Sequence, residues 1–315
     1  MLTPSADWNT FYRTRRDRVA GSDKAPGDEW LACPMRTSGT PSGTTVRVAT
    51  WNLWWRFGDW EARHRAIGAV LADLRADIVG LQEVWAEPGR NQAEALAADL
   101  GLHWTFVASP APGRWHRRLG DDRVAVGNAV LSRWPIVESA HQVLPAGDAP
   151  ADGRTVLHAR IDAPGGPVPF FTTQLNSAPA QSAVRCAQVA AIARFVAART
   201  EQSHPPVVTG DLNAEPDSDE VRLLGGHKTA PTVPGLVLID AWRYADPAAT
   251  GWTWDRGNPH VAASLEPSAR IDYVLVGAPS ADGRGSVASA AVFGDRLEGG
   301  VWPSDHAGVL AELRA

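Results

Sequence analysis

From Val46 to the C-terminus, apolar runs of strand length alternate with segments whose apolar residues recur every three or four positions, and no Pro/Gly/Ser-rich linker interrupts them. "VRVATWNL" (46–53) and "IVGLQEV" (78–84) read as strands. Between them Trp60, His64, Ile67, Leu71, Leu74 and Ile78 form one face of a helix. "NQAEALAADLG" is a helix closed by Gly101. From Trp104 to Phe171 the pattern becomes short β-like runs around "RVAVGNAVLS", "TVLHARI" and "VPFFTTQL". Helical spacing returns through Val184, Ala187, Ala191 and Phe195. A strand into "TGDLN", a short helix near "DSDEVRLL" and the strands "RIDYVLV", "SVASAAVF" and "HAGVLAEL" complete the chain. Strands and helices mixed in both halves imply one α/β domain over 46–315, with packed sheets at its centre and helices outside. Residues 1–45 carry Ser, Thr, Pro, Gly and charge without a period, and read as a flexible extension.

The totals restrict the function. Formal charge is −5, with 44% hydrophobic and 21% charged residues, which is ordinary globular usage and argues against a broad basic face for polyanions. Two cysteines, Cys33 and Cys186, imply no disulfide framework. No apolar run approaches the roughly 20 residues needed to span a bilayer, and "RTRRDR" leads into polar sequence, not a signal core. A cytoplasmic monomer without a membrane span is the expectation. The Trp-rich stretches are expected to serve core and rim packing.

Polar side chains stand at the ends of several strands, where chemistry concentrates. They are Asn52 in "ATWNLWW", Glu83 in "LQEVW", Asn128 in "GNAVLSRWPI", Asp211 and Asn213 in "GDLNAEP", Asp272 in "RIDYVLV", and Asp305 with His306 in "PSDHAGV". Alternation along a strand would send Asp211 and Asn213 to one face and Leu212 to the other, although Gly, Asp and Asn are also common turn formers. Carboxylates and amide oxygens suit Mg²⁺ or Mn²⁺, which take few protein ligands and share the rest of their shell with water and phosphate. A histidine beside phosphate needs a carboxylate to hold its tautomer and charge, and Asp272 is the candidate for His306.

In this order, "TWNLWW", "LQEVW", "GNAVLSRWPI", "GDLNAEPDS", "RIDYVLV" and "SDHAGV" resemble the endonuclease/exonuclease/phosphatase superfamily. That superfamily takes in deoxyribonuclease-type nucleases, apurinic endonucleases, neutral sphingomyelinases and inositol phosphatases. The resemblance implies a four-layer α/β/β/α sandwich of two mixed sheets flanked by helices, with the active site at one edge. It implies a metal site of Glu83, Asn52 and Asp305. Asp211 and Asn213 would flank the scissile phosphate and orient the attacking water. His306, oriented by Asp272, would act as general base or transition-state stabiliser, with Thr253 in "GWTW" next to the phosphate and Asn128 supporting substrate binding.

One departure concerns the leaving group. Where many nuclease and sphingomyelinase branches carry histidine in a "THL" block, this chain has "TTQLNSAP", with Gln174 in that place. Glutamine cannot titrate, so the roughly 10²- to 10⁴-fold available from a general acid is forgone or replaced. A working enzyme with an altered leaving-group partner, a weakened variant and a phosphate binder without catalysis all remain open. In "SPAPGRWHRRLGDDR", Arg114, Arg117 and Arg118 with Trp115 and His116 are placed to meet phosphates and stack a base, or form a solvated loop. The expectation is a Mg²⁺- or Mn²⁺-dependent phosphodiester hydrolase, nuclease-like, with nucleic acid as substrate. A small-molecule or lipid phosphodiesterase, or a phosphatase, is the alternative.

Overall fold

In a computed structural model, residues 45–147, 153–200 and 204–315 are described. Apart from Thr45, the extension expected over 1–45 lies outside them.

The strand β1 (Thr45–Asn52) is buried on both faces beyond its first residues, which is why its sequence shows no clean apolar–polar alternation. It pairs in parallel with β2 (Ile78–Glu87), and the crossover is the helix α1 (Trp60–Leu74), whose first turn is capped by Asp59. Helical spacing alone extends to Ile78. The helix instead stops at Leu74, where Arg75 turns left-handed at φ 50°, and Ile78 opens β2. A short β3 (Arg90–Asn91) leads into α2 (Gln92–Leu100), which ends at Gly101 with φ 66°, as its sequence predicts.

The strands β4 (His103–Ala108), β5 (Ala125–Ser132), β6 (Ile136–Val143), β7 (Thr155–Ala163) and β8 (Gly166–Gln174) follow, and α3 (Gly113–Leu119) lies between β4 and β5. The helix α4 (Ser182–Ala197) crosses from β8 to β9 (Val207–Asp211), again in parallel. Then come α5 (Asp219–Gly225), β10 (Leu238–Asp240), α6 (Pro259–Ala262), β11 (Asp272–Gly277), β12 (Val287–Phe293) and β13 (Gly308–Arg314). One sheet has the order β12-β13-β1-β2-β5-β4, with β3 on β2, and the other β10-β11-β9-β8-β7-β6.

Three apolar clusters define the layers. Val48, Ile78 and Val130 of the first sheet meet Leu157, Phe170 and Val274 of the second. The outer face of the first sheet packs Trp51 and Leu81 against Ile67 and Leu96 of α1 and α2. The outer face of the second packs Phe171 and Val208 against Ile192 and Phe195 of α4. This is the expected α/β/β/α order. The sheets approach closely at Gly80, where a Cβ would run into the hydroxyls of Thr172 and Thr209. There Gln82 donates to Thr50 Oγ1 at 3.1 Å and Thr172 Oγ1 at 2.8 Å, so the polar atoms between the layers are satisfied.

Both parallel pairs, β1–β2 and β8–β9, end at the same edge. A crevice at the carboxyl ends of parallel strands is where α/β sheets receive ligands.

Candidate active site

Asn52 ends β1, Gln174 ends β8 and Asp211 ends β9, and Asp272, opposite Asp211 in the ladder, begins the antiparallel β11. All four therefore reach one edge. Glu83 needs a device to join them. The β2–β5 ladder shifts register between Leu81 and Val84, and Glu83 sits in this irregularity at φ 52°. The bulge turns a side chain that regular alternation would direct among the helices into the cleft, at a conformational cost of about 1–2 kcal/mol.

Asp211 and Asn213 both line the cleft, but not through strand alternation. The strand stops at Asp211, Asn213 is left-handed at φ 47°, and the Asn213 backbone N–H donates to Asp211 Oδ1 at 3.0 Å. The two readings of "TGDLN", turn and paired polar edge, are both correct. The Asn213 side chain is tied to the Leu175 carbonyl at 3.1 Å.

The cleft holds about 340 Å³ and is lined by Glu83, Gln174, Asp211, Asn213, Asp305 and His306, among others. Gln174 Nε2 donates to Glu83 Oε1 at 2.7 Å and Asp211 Oδ2 at 3.1 Å, and Asn52 Nδ2 donates to the same Asp211 oxygen at 3.0 Å. His306 Nδ1 lies 2.9 Å from Asp272 Oδ2. Burial works against the imidazolium, but Asp272, by charge and hydrogen bond, and then Asp211 and Asp305 outweigh it, raising its pKa well above the ordinary histidine value. Burial lifts the Asp305 carboxyl to about 7, with Glu83 adding to the rise while His306 and Arg63 oppose it.

These features fit a divalent cation. Asp211, Asp272 and His306 offer ligand atoms within 4.8 Å of one another, and Asp272 Oδ1 is buried without a hydrogen-bond partner. Glu83 adds to the cost of ionising the buried Asp305 carboxyl, a cost that a cation between them would relieve. Carboxylates and the Asn52 amide are hard oxygen donors of the kind Mg²⁺ takes.

The other expected residues are distributed unequally. Arg114 and Arg118 line the cleft, whereas Arg117 does not. Their segment is not a loop but α3, seated on its buried Trp115, which stacks against Phe57. Thr253 lies behind the site and does not line it: its hydroxyl oxygen accepts the backbone N–H groups of Ile271 and Asp272 at 3.0 and 3.2 Å. Asn128 donates to the Thr155 carbonyl at 3.0 Å. Trp51, Trp55, Trp85 and Trp115 are core, as expected, and Trp54 forms part of the cleft wall.

Sequence reasoning missed Arg63, whose guanidinium donates to the carbonyls of Leu53, Trp54, Trp55, Phe57 and Pro303 at 2.8–3.0 Å. It joins the segment after Asn52 to the segment before Asp305. A charged residue next to the apolar stripe of α1 is a weak signal, easily taken for a solvated position. Ser304 was missed as well. Its hydroxyl donates to the Asn52 carbonyl at 2.7 Å and accepts the His306 N–H at 3.2 Å.

The model of the Endonuclease/Exonuclease/phosphatase family matches residues 49–306. The chain belongs to this family. Among endonuclease/exonuclease/phosphatase proteins, a putative neutral sphingomyelinase of Caenorhabditis elegans is 28% identical over 73% of this chain and 58% of its own length. The inositol phosphosphingolipids phospholipase C of Schizosaccharomyces pombe is 27% identical over 62% and 46%. The chain thus spans about half the length of the curated relatives it matches. Among solved structures, D. rerio TDP2 complexed with a single-strand DNA product superposes with a TM-score of 0.66 at 19% identity, covering 86% of this chain and all of that one. The human Nocturnin catalytic domain with bound sulfate reaches 0.63 at 20% identity, covering 85% and 94%. These likenesses establish the sandwich fold. No helix among the described residues is long and apolar enough to cross a membrane.

Proposed function

We propose that the chain is a Mg²⁺-dependent phosphodiesterase that hydrolyses a phosphosphingolipid-type substrate, releasing the phosphorylated headgroup. The observation that carries the chemistry is the convergence of Glu83, Asp211, Asn213, Asp305 and His306 on one cleft from opposite sheets. The substrate class is supported by the two curated relatives, both named for sphingolipid phosphodiester cleavage.

Glu83, with Asn52 and Asp305, would hold the Mg²⁺, which supplies Lewis-acid charge neutralisation at the phosphate. Asp211 keeps free lone pairs beyond those used by Asn52, Gln174 and Asn213, and can orient a water and accept its proton. His306, whose protonated form Asp272 favours, is better placed to donate to a non-bridging oxygen as charge builds in the transition state than to act as a base. Asp272 holds that imidazole from behind. Gln174 faces the same space as a neutral donor.

A second reading is nuclease-like cleavage of nucleic acid, favoured by Arg114 and Arg118 in the cleft wall. The test offers vesicles of sphingomyelin, vesicles of an inositol phosphosphingolipid, supercoiled plasmid and bis-p-nitrophenyl phosphate, each with Mg²⁺ and with chelator, using Asp211→Asn as control. Release of phosphorylated headgroup that needs Mg²⁺ and Asp211 supports the lipid reading. Plasmid nicking with intact lipid transfers the assignment to the nuclease reading.

A further inference from the structure

At Gln174 this cleft departs from the pattern of its resemblance, and a buried arginine stands behind that side chain. Arg154 stands one residue before β7, 6% exposed, and donates from its guanidinium to Gln174 Oε1. On the far side of the same carboxamide, Nε2 donates to Glu83 and Asp211. Guanidinium offers only donors and ionised carboxylates only acceptors, so the amide has a single compatible orientation: oxygen toward Arg154, amino group toward the cleft.

The surroundings hold Arg154 in place. Gly153, at φ 63°, passes so close to Ser109 and the Ala111 backbone that a side chain there would collide with both. Asn128 fixes the next residue by donating to the Thr155 carbonyl and hydroxyl. The indole of Trp115 flanks the guanidinium, with Cζ 5.6 Å from the ring centroid.

Building on the phosphodiesterase reading of the cleft, we infer that Arg154 is a positioning residue for the reaction: it fixes the Gln174 carboxamide so that its amino group stays aimed between Glu83 and Asp211 as a donor that does not titrate. A carboxamide turned over would present its oxygen to an approaching phosphate, which is repulsive; Glu83 and Asp211 disfavour that state from the cleft side and the Arg154 guanidinium from the other. Asn128, whose likeness to a substrate-binding position is not matched by its place behind the wall, belongs to the support of the same arginine.

The test is a cycle of Arg154→Met, Gln174→Ala and the double variant, assayed with Mg²⁺ on bis-p-nitrophenyl phosphate and on the lipid vesicles. Each single substitution is expected to lower kcat about tenfold or more with KM little changed. The double variant should be no slower than Gln174→Ala, and Arg154→Lys should recover part of the loss. Losses that multiply in the double variant would overturn the inference, since Arg154 would then act independently of Gln174. Hydrogen exchange of the Gln174 side-chain amide, followed by NMR and assigned by its absence in Gln174→Ala, gives a readout that needs no turnover. Protection in the wild type that collapses in Arg154→Met supports the inference, and equal protection in both refutes it. An inactive wild type with a protected amide would sink the phosphodiesterase reading and leave the positioning by Arg154 standing.

Discussion

Asp272 opens β11 of one sheet and His306 lies just ahead of β13 of the other, yet their side chains meet at 2.9 Å beneath the cleft, both almost fully enclosed. Asp272, by charge and hydrogen bond, raises the imidazole well above the ordinary histidine value. Asp272→Asn keeps the shape and removes the charge. It is expected to lower kcat by about 10²-fold or more and to move the alkaline fall of the rate toward lower pH, because the imidazole then loses its proton sooner. An alkaline limb that stays in place in the kcat profile would show that Asp272 does not hold the charge.

The Asp305 carboxyl, at about 7 in the folded protein and 3.8 as its ordinary value, keeps a proton that the unfolded chain has already released. The sign follows. Without metal, this group favours folding at low pH, and that contribution is lost as pH rises from about 4 through 7. A cation must displace the same proton. Mg²⁺ affinity is therefore expected to be about tenfold weaker at pH 6 than at pH 8, with proton release visible by calorimetry in buffers of different ionisation enthalpy. Asp305→Asn should abolish the release.

Glu83 holds a backbone conformation that disfavours a side chain. Glu83→Ala and Glu83→Gly both remove the carboxylate, but only glycine accepts φ 52° freely, so the glycine variant is expected to be about 1 kcal/mol more stable than the alanine variant by urea denaturation. Both should lose activity more than about a hundredfold, as a metal-ligand role requires. Equal stabilities would mean that the bulge relaxes around alanine.

Arg63 satisfies backbone carbonyls on two separate segments that carry site residues. Arg63→Met is expected to destabilise the fold by about 3 kcal/mol or more, since several buried acceptors lose their donor together. Arg63→Lys should regain only part, because an ammonium cannot fork toward two segments. Thermal melts of the three proteins decide it.

Gly80→Ala adds one methyl where Thr172 and Thr209 of the opposing sheet already touch the backbone. Overpacking of this kind costs about 1–3 kcal/mol, and the expected accompaniment is a loss of activity larger than the loss of stability, measured side by side.

The elements legible in the sequence were those with a sustained period: α1, α2, α4 and the buried strands. Elements decided by tertiary contact were not. α3 is a single short helix whose charged sequence, "GRWHRRL", reads as loop until Trp115 is seen seated against Phe57. The end of α1 was hidden because Ile78 continues the helical period by coincidence while belonging to β2. In the site, Asn52, Glu83, Asp211, Asn213, Asp305 and His306 stood out because carboxylate, amide and imidazole side chains grouped at the ends of apolar strands have few structural uses. Arg63, Arg154 and Ser304 did not, because they act through backbone carbonyls or through another side chain, and such partners leave no mark on local spacing. The bulge that turns Glu83 is a property of the β2–β5 ladder, and neither strand encodes it alone.

Each half of the sandwich contributes an incomplete chemical kit: Asn52, Glu83, Asp305 and His306 come with the first sheet, Gln174, Asp211 and Asp272 with the second. Catalytic competence is thus a direct gauge of how faithfully two independently hydrogen-bonded slabs are seated on each other. A disturbance that slides one slab by an ångström would silence the protein while its circular dichroism stayed the same.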